Sequence, residues 1–299
     1  MIRENTNTKT NTSTHANYFF LSALISFGLI FSYLQFKPHK NLVLRFYDVG
    51  QGDSSLVKIL PNLSVIIDGG PDSTVLNKLG WDLGPLNRSL AIGILTHEHA
   101  DHATGLKEVL RYYKTTFLLS SVDLSQNDTY LAGSERVAFA GDTMVLPSWG
   151  KNVLIKILWP PKEVKSKNCG QYCFVDPGDL NDTSLVFLLE YGNFKVLYLG
   201  DVTSTVLGVL PQTGPVDVVK VPHQGSAGSF LPEFYNKIRP KYAVIPVGKN
   251  NYGHPSLELV AFLESLGTKV LTTKDCGDIN FEVTMGGEIK VTTKKGDIR

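Results

Sequence analysis

The sequence predicts a mixed α/β sandwich: one large domain of many short strands and few helices, led by a single apolar segment. Three observations predict it. The chain has 299 residues, 42% hydrophobic and 19% charged, enough to bury one large core. From Leu42 onward, short apolar or alternating runs recur between Gly, Asp, Asn and Pro, which is the pattern of half-buried strands. Helical candidates are fewer and lie between the strands rather than at one end of the chain. A net charge of +1 argues against a broad basic face for nucleic acid, and three cysteines exclude a disulfide-dense scaffold or a four-cysteine zinc ribbon.

Taken in order, residues 1–17 are rich in Asn, Thr and Ser and read as a flexible tail. Residues 18–36 carry no charge and as a helix would span roughly 28 Å, the thickness of a bilayer core. This predicts a transmembrane anchor; the alternatives are a buried core helix or a cleaved signal, although no Ala-x-Ala site follows. Arg3 and Lys9 on one side nearly balance Lys37 and Lys40 on the other, so positive charge sets orientation only weakly. The expectation is a single-pass, membrane-anchored protein with its domain outside the cytoplasm. Cys169 and Cys173, in a loop rich in Gly, Pro and Lys, read either as a small disulfide suited to that compartment or as two free thiols.

The remainder, 41–299, shows no repeat and no dividing linker. Strands are predicted over 42–47, 55–59, 64–67, 91–95, 117–120, 153–159, 184–189, 195–199, 216–221, 242–247, 269–272, 279–284 and 288–293. Helices are predicted over 105–113, 233–238 and 257–266, the last with Ser256 as N-cap and Gly267 as its stop.

The strand at 91–95 runs into Thr96-His97-Glu98-His99-Ala100-Asp101-His102. Alternation sends His97 and His99 to one side, and Asp101 and His102, on the following turn, approach from another direction. Such an arrangement suits two metals side by side. Imidazole with carboxylate favours zinc, with manganese or iron also accommodated, and the absence of cysteine argues against a purely structural site.

Further fragments lie in a recognisable order: Asp48-Val-Gly-Gln-Gly-Asp-Ser54, Ile67-Asp-Gly-Gly70, Asn181-Asp-Thr-Ser-Leu-Val186, Leu199-Gly-Asp201, Val219-Lys-Val-Pro-His-Gln-Gly-Ser226 and Tyr252-Gly-His-Pro-Ser256. Each glycine fragment alone is an ordinary turn. Together with the histidine motif they resemble the metallo-β-lactamase superfamily, and within it the soluble domain of ComEC-type competence proteins. The resemblance implies a four-layer αββα sandwich with the metal centre at one edge. It implies two divalent ions, zinc or manganese: one on His97 and His99, a second on Asp101, His102 and His223, with Asp201 between them. Asn181 stands where many members supply a further histidine, and Gln224 replaces one histidine of the usual His-His-Gly-Ser. Asn181, Asp182 and Asp68 are further candidate ligands or groups that orient ligands.

Two divalent ions about 3.5 to 4 Å apart lower the pKa of a shared water and clamp the attacking and leaving oxygens of a phosphodiester. Asp101 is the candidate that orients the water, and His254 the candidate that contacts phosphate or protonates the leaving oxygen. Lys220, Ser226 and the loop lysines Lys162, Lys165 and Lys167 are candidate phosphate contacts. The expected activity is that of a phosphodiesterase or DNA nuclease. The alternatives are hydrolysis of another small ester or cyclic phosphate, or a nucleic-acid-binding or scaffold module with incomplete metal loading. No protein partner is inferable.

Overall fold

The computed structural model describes residues 12–35, 41–60, 63–124, 129–148, 150–162, 179–294 and 296–297. Cys169, Cys173, Lys165 and Lys167 lie outside the described residues. The chain divides into two compact units, Met1–Pro38 and His39–Arg299.

In the first unit, helix α1 (Thr12–Gln35) forms over the predicted anchor. Every described side chain from 17 to 30 is exposed, Phe20 and Leu24 among them. The membrane-spanning expectation is corrected in one respect: among the described residues no helix is long and apolar enough to cross a membrane. Ser22, Ser26 and Gly28 interrupt the apolar surface of α1.

The second unit runs β1 (Leu42–Phe46), β2 (Ser55–Leu60), β3 (Leu63–Ile67), α2 (Thr74–Leu83), β4 (Ser89–Leu95), α3 (Ala100–Tyr112), β5 (Lys114–Ser120), β6 (Ser134–Val137), β7 (Thr143–Leu146) and β8 (Val153–Trp159). It continues with β9 (Val186–Tyr191), β10 (Phe194–Tyr198), α4 (Ser204–Val209), β11 (Val218–Lys220), α5 (Pro232–Ile238) and β12 (Tyr242–Ile245). The last elements are α6 (Leu257–Ser265), β13 (Lys269–Thr272), α7 (Thr273–Cys276), β14 (Ile279–Val283), β15 (Ile289–Thr293) and β16 (Gly296–Asp297).

The strands form two sheets, one ordered β16-β15-β14-β1-β2-β3-β4-β5-β6 and the other β13-β12-β11-β10-β9-β8-β7. Alternation along each strand gives each sheet two apolar faces. Leu44, Phe46, Ile67 and Ile94 of the first sheet pack against Ile155, Phe187, Val196 and Tyr198 of the second in one buried cluster. The outer face of the first sheet, with Leu56 and Ile66, is covered by Val75 and Leu79 of α2 and Leu106 and Val109 of α3. Val206 of α4, Phe234 and Tyr235 of α5, and Leu259 and Leu263 of α6 cover the outer face of the second. The molecule is therefore the expected mixed α/β sandwich, helices outside and two sheets within.

Several boundaries shift. Helix α3 begins at Ala100 instead of 105, so Asp101 and His102 sit in its first helical turn and not on a connecting turn. Asp101 suits that place because a carboxylate complements the positive end of the helix dipole. Helices α2, α4 and α7 and strands β6, β7 and β16 are additional to the sequence expectation.

Candidate metal centre

The site lies where β3, β4 and β10 end and α3 begins. Strand β4 delivers Thr96 and His97, and His99 stands in extended conformation as the residue preceding α3. The start of α3 is fixed against the turn after β3 by backbone contact: Gly69 N–H donates to His102 O at 2.8 Å and Gly105 N–H to Gly70 O at 2.9 Å. A Cβ on Gly105 would lie 1.9 Å from the Gly69 carbonyl oxygen, so only glycine permits this approach.

His102 is fully buried and held from both sides. Its Nδ1 meets Asp68 Oδ2 at 2.9 Å, and its Nε2 lies 3.2 Å from Asp201 Oδ2 and 3.9 Å from Asp101 Oδ2. Asp68 is itself fixed, accepting from Thr96 N–H at 2.8 Å and Thr96 Oγ1 at 2.7 Å. A carboxylate on Nδ1 places a proton there and directs Nε2 toward the centre. Burial alone would suppress the charge of His102, but Asp201, Asp53 and Asp68 outweigh it and raise its pKa well above the usual histidine value. His97 behaves oppositely: burial and then the neighbouring His102 hold its pKa well below the usual value. The His97 ring stands 4.7 Å from that of His99 and 4.2 Å from that of His102, centroid to centroid.

From the second sheet come Asp201, after β10, and the turn after β11. Asp201 N–H donates to Ser184 Oγ at 3.0 Å, and its Oδ1 accepts from His223 N–H at 3.1 Å. Burial opposes the charge on Asp201, yet His102 and Lys220 more than compensate and keep its pKa well below the ordinary carboxylate value. His223 and Gln224 both adopt left-handed backbone, at φ 49° and 50°. Such conformations cost about 1 kcal/mol or more each in a residue with a side chain and persist only where surroundings enforce them. The His223 ring faces that of His254 at 5.6 Å.

Lys220 is placed differently from the expected phosphate contact. Only 3% exposed, it forms an ion pair with Asp53, donates to Gly200 O at 2.7 Å and reaches Asp201 Oδ1 at 3.3 Å. Burial would lower its pKa, but Asp53 and Asp201 raise it above the ordinary lysine value. Its side chain points inward because two buried carboxylates require a counter-charge. Asp182 also differs: its carboxylate accepts from Thr203 N–H at 2.8 Å and Thr203 Oγ1 at 3.0 Å, bracing the chain just after Asp201. Ser226 Oγ accepts from Gly228 N–H at 3.3 Å and caps a short turn. Residues given no role from sequence are Asp53, Gln51, Thr96 and Gln224. The first two sit within the Asp48 to Ser54 fragment, whose polar residues between glycines were the available signal.

These residues fit a divalent ion. His97, His102 and Asp201 each offer a ligand atom, all within 4.8 Å of one another. Buried His97 Nε2, His254 Nδ1 and Asn181 Oδ1 have no hydrogen-bond partner among the described residues. Orphaned acceptors beside a carboxylate are costly unless something binds them. A second cluster, Asp53, Asp68 and His102, is equally tight, but Lys220 and Thr96 already occupy its carboxylates. Within it, Asp68 orients His102 through Nδ1.

The metallo-beta-lactamase superfamily model matches residues 47–249. ComE operon protein 3 of Bacillus subtilis is 30% identical over 202 residues, covering 63% of this chain and 24% of the relative. Recombination protein 2 of Haemophilus influenzae is 24% identical over 265 residues, covering 85% of this chain and 31% of the relative. The chain thus spans less than a third of either relative. Among solved structures, the metallo-beta-lactamase fold protein YhfI from Bacillus subtilis aligns with a TM-score of 0.53 at 14% identity, covering 81% of this chain and 99% of the other. CmlA, a diiron beta-hydroxylase from Streptomyces venezuelae, aligns with a TM-score of 0.52 at 14% identity, covering 81% and 54%. At such identities the likeness shows fold alone. The two curated relatives agree with the ComEC-type resemblance of the motifs. Because the matched span takes in most of the chain and all of the clustered residues from Asp53 to His223, this chain belongs to the metallo-beta-lactamase superfamily.

Proposed function

We propose that the chain is a phosphodiesterase acting on DNA or a related phosphodiester with two divalent ions, zinc or manganese. The observation that carries this reading is the convergence of His97, His102 and Asp201 within 4.8 Å, at a site where His97 Nε2 is buried without a partner. His97, His99, Asp101, His102, Asp201 and His223 would hold the ions. Bound there, such ions polarise a phosphoryl oxygen and activate water. The protein's own groups do the rest. Asp101, beside His102 Nε2, positions the attacking water. Burial, and next the neighbouring His223, lower the pKa of His254 below the usual histidine value, so at neutral pH it meets the substrate as a neutral ring with one N–H to donate. The rim supports a nucleotide substrate: Tyr252 is 76% exposed, its ring 5.9 Å from that of His254, and Lys249 is exposed on the same loop. An exposed aromatic with a nearby cation suits base stacking and phosphate contact.

The test is cleavage of a single-stranded oligonucleotide by the full chain loaded with zinc or manganese. Asp101→Ala should reduce the rate by about a hundredfold or more, and chelation should abolish it. Full activity in either case overturns the reading. Asn181, in place of an imidazole, favours one alternative, a nucleic-acid-binding module: oligonucleotide binding unaffected by chelator, without cleavage, would establish it.

We propose separately that α1 attaches the protein to a membrane, because most of its described side chains along 17–30, Phe20, Leu24 and Phe27 among them, are apolar and exposed, with the domain outside the cytoplasm. The full chain should sediment with lipid vesicles, and a chain with Phe20 and Leu24 changed to Asp should not.

A further inference from the structure

The segment around Asp101 contains a chain of hydrogen bonds whose polarity runs one way. Gly248 N–H donates to Gln51 Oε1 at 3.0 Å, Gln51 Nε2 donates to Gln224 Oε1 at 2.6 Å, and Gln224 Nε2 donates to Asp101 Oδ2 at 2.8 Å. A backbone N–H can only donate, so the first bond fixes which end of the Gln51 amide points to Gly248. That leaves the Gln51 NH₂ for Gln224, and the Gln224 NH₂ for Asp101. Either amide turned over would set donor against donor or oxygen against oxygen. The relay therefore fixes a donor on Asp101 Oδ2, the oxygen that lies 3.9 Å from His102 Nε2.

The surroundings hold each link in place. Gln224 is 3% exposed and takes its position through the left-handed backbone at φ 50°. A Cβ on Gly248 would lie 2.4 Å from Gly50 C and 2.5 Å from Gln51 N, so the first link depends on direct backbone packing. Asp53 N–H donates to Asp101 O at 3.1 Å, and the loop that carries Gln51 thus grips Asp101 by its main chain as well. No histidine takes part, although Gln224 occupies the place of the second histidine in the usual family motif.

We propose that Gln51 and Gln224 form an amide relay that positions Asp101 as a metal ligand, Gln224 by direct contact and Gln51 solely by orienting Gln224. The inference rests on the metal-dependent reading above. Both are positioning residues, and their effect reaches the ion through Asp101 alone.

The experiment is metal titration of the full chain, read by zinc affinity and by the visible spectrum of the cobalt-substituted protein, with folding checked by thermal melting. Gln224→Leu should weaken the Asp101-bound ion by about 10- to 100-fold, the usual effect of losing a group that orients a ligand, and should alter the cobalt bands. Gln51→Leu should act in the same direction although it touches no ligand, and the double variant should match Gln224→Leu alone. Gln224→Glu, equal in size but an acceptor facing Asp101, should be at least as damaging, and serves if the leucine variant does not fold. A Gln51→Leu protein with wild-type affinity and spectrum, or additive single effects, overturns the relay. A wild-type chain that takes up no metal overturns the hydrolase reading instead.

Discussion

Lys220 and His102 show how single side chains set the electrostatics of the centre. Without its ammonium, the carboxylates of Asp53 and Asp201 are left buried beside one another. Lys220→Met should therefore cost the metal-free protein about 3 to 5 kcal/mol in urea unfolding, and zinc should recover part of that loss by supplying positive charge to Asp201. An unchanged midpoint would mean the two carboxylates are neutralised in another way. His102 has a definite pH signature. Its pKa is raised in the metal-free fold, so its contribution to stability is complete below the unfolded value near 6.5 and is lost as pH rises through the elevated one. A metal must displace its Nε2 proton, so zinc affinity should instead rise by about tenfold per pH unit across that window. Calorimetry in buffers of different ionisation enthalpy should detect the released proton. The histidine motif was legible in sequence because its spacing is dense. Lys220 was not, because a lysine next to a valine run looks the same whether its side chain faces water or two buried carboxylates.

At the level of elements, the strands around the centre were largely readable and the helix beside it less so. Residues 100–104 hold two ionisable groups and no apolar stripe, which made them resemble a loop. They become helical because Gly69 and Gly105 let the start of α3 rest against the turn after β3. Helix α2 buries Val75, Leu79 and Leu83 at helical spacing, but Gly80 within it weakens the local signal. Strands β6 and β7 are mostly exposed and carry little alternation. Gly105→Ala should test the contact: the added methyl would overlap the Gly69 carbonyl, costing about 3 kcal/mol of stability. Because Gly69 N–H holds His102 O, zinc affinity should fall with it. An alanine variant with normal melting and normal loading would show that α3 can shift without moving His102.

Across the whole molecule, the layered sandwich follows from alternating strands with two apolar faces, and was readable at that level. The meeting of the two sheets at one edge was supplied by the family resemblance, because ligands distant in sequence carry no local sign of proximity. Asp53, His97 and His102 belong to the first sheet and its connections, Asp201, Lys220 and His223 to the second. Between them run the Asp53–Lys220 and His102–Asp201 pairs and the bond from Leu185 N–H to Thr96 O at 2.9 Å. An ion bound at this seam would act as a clasp. Opening the sandwich would first require it to leave, so occupancy should lengthen the native state's lifetime beyond what equilibrium stability alone predicts. Zinc should slow unfolding in concentrated urea while leaving the refolding rate almost unchanged, the pattern of a contact made after the folding barrier is crossed.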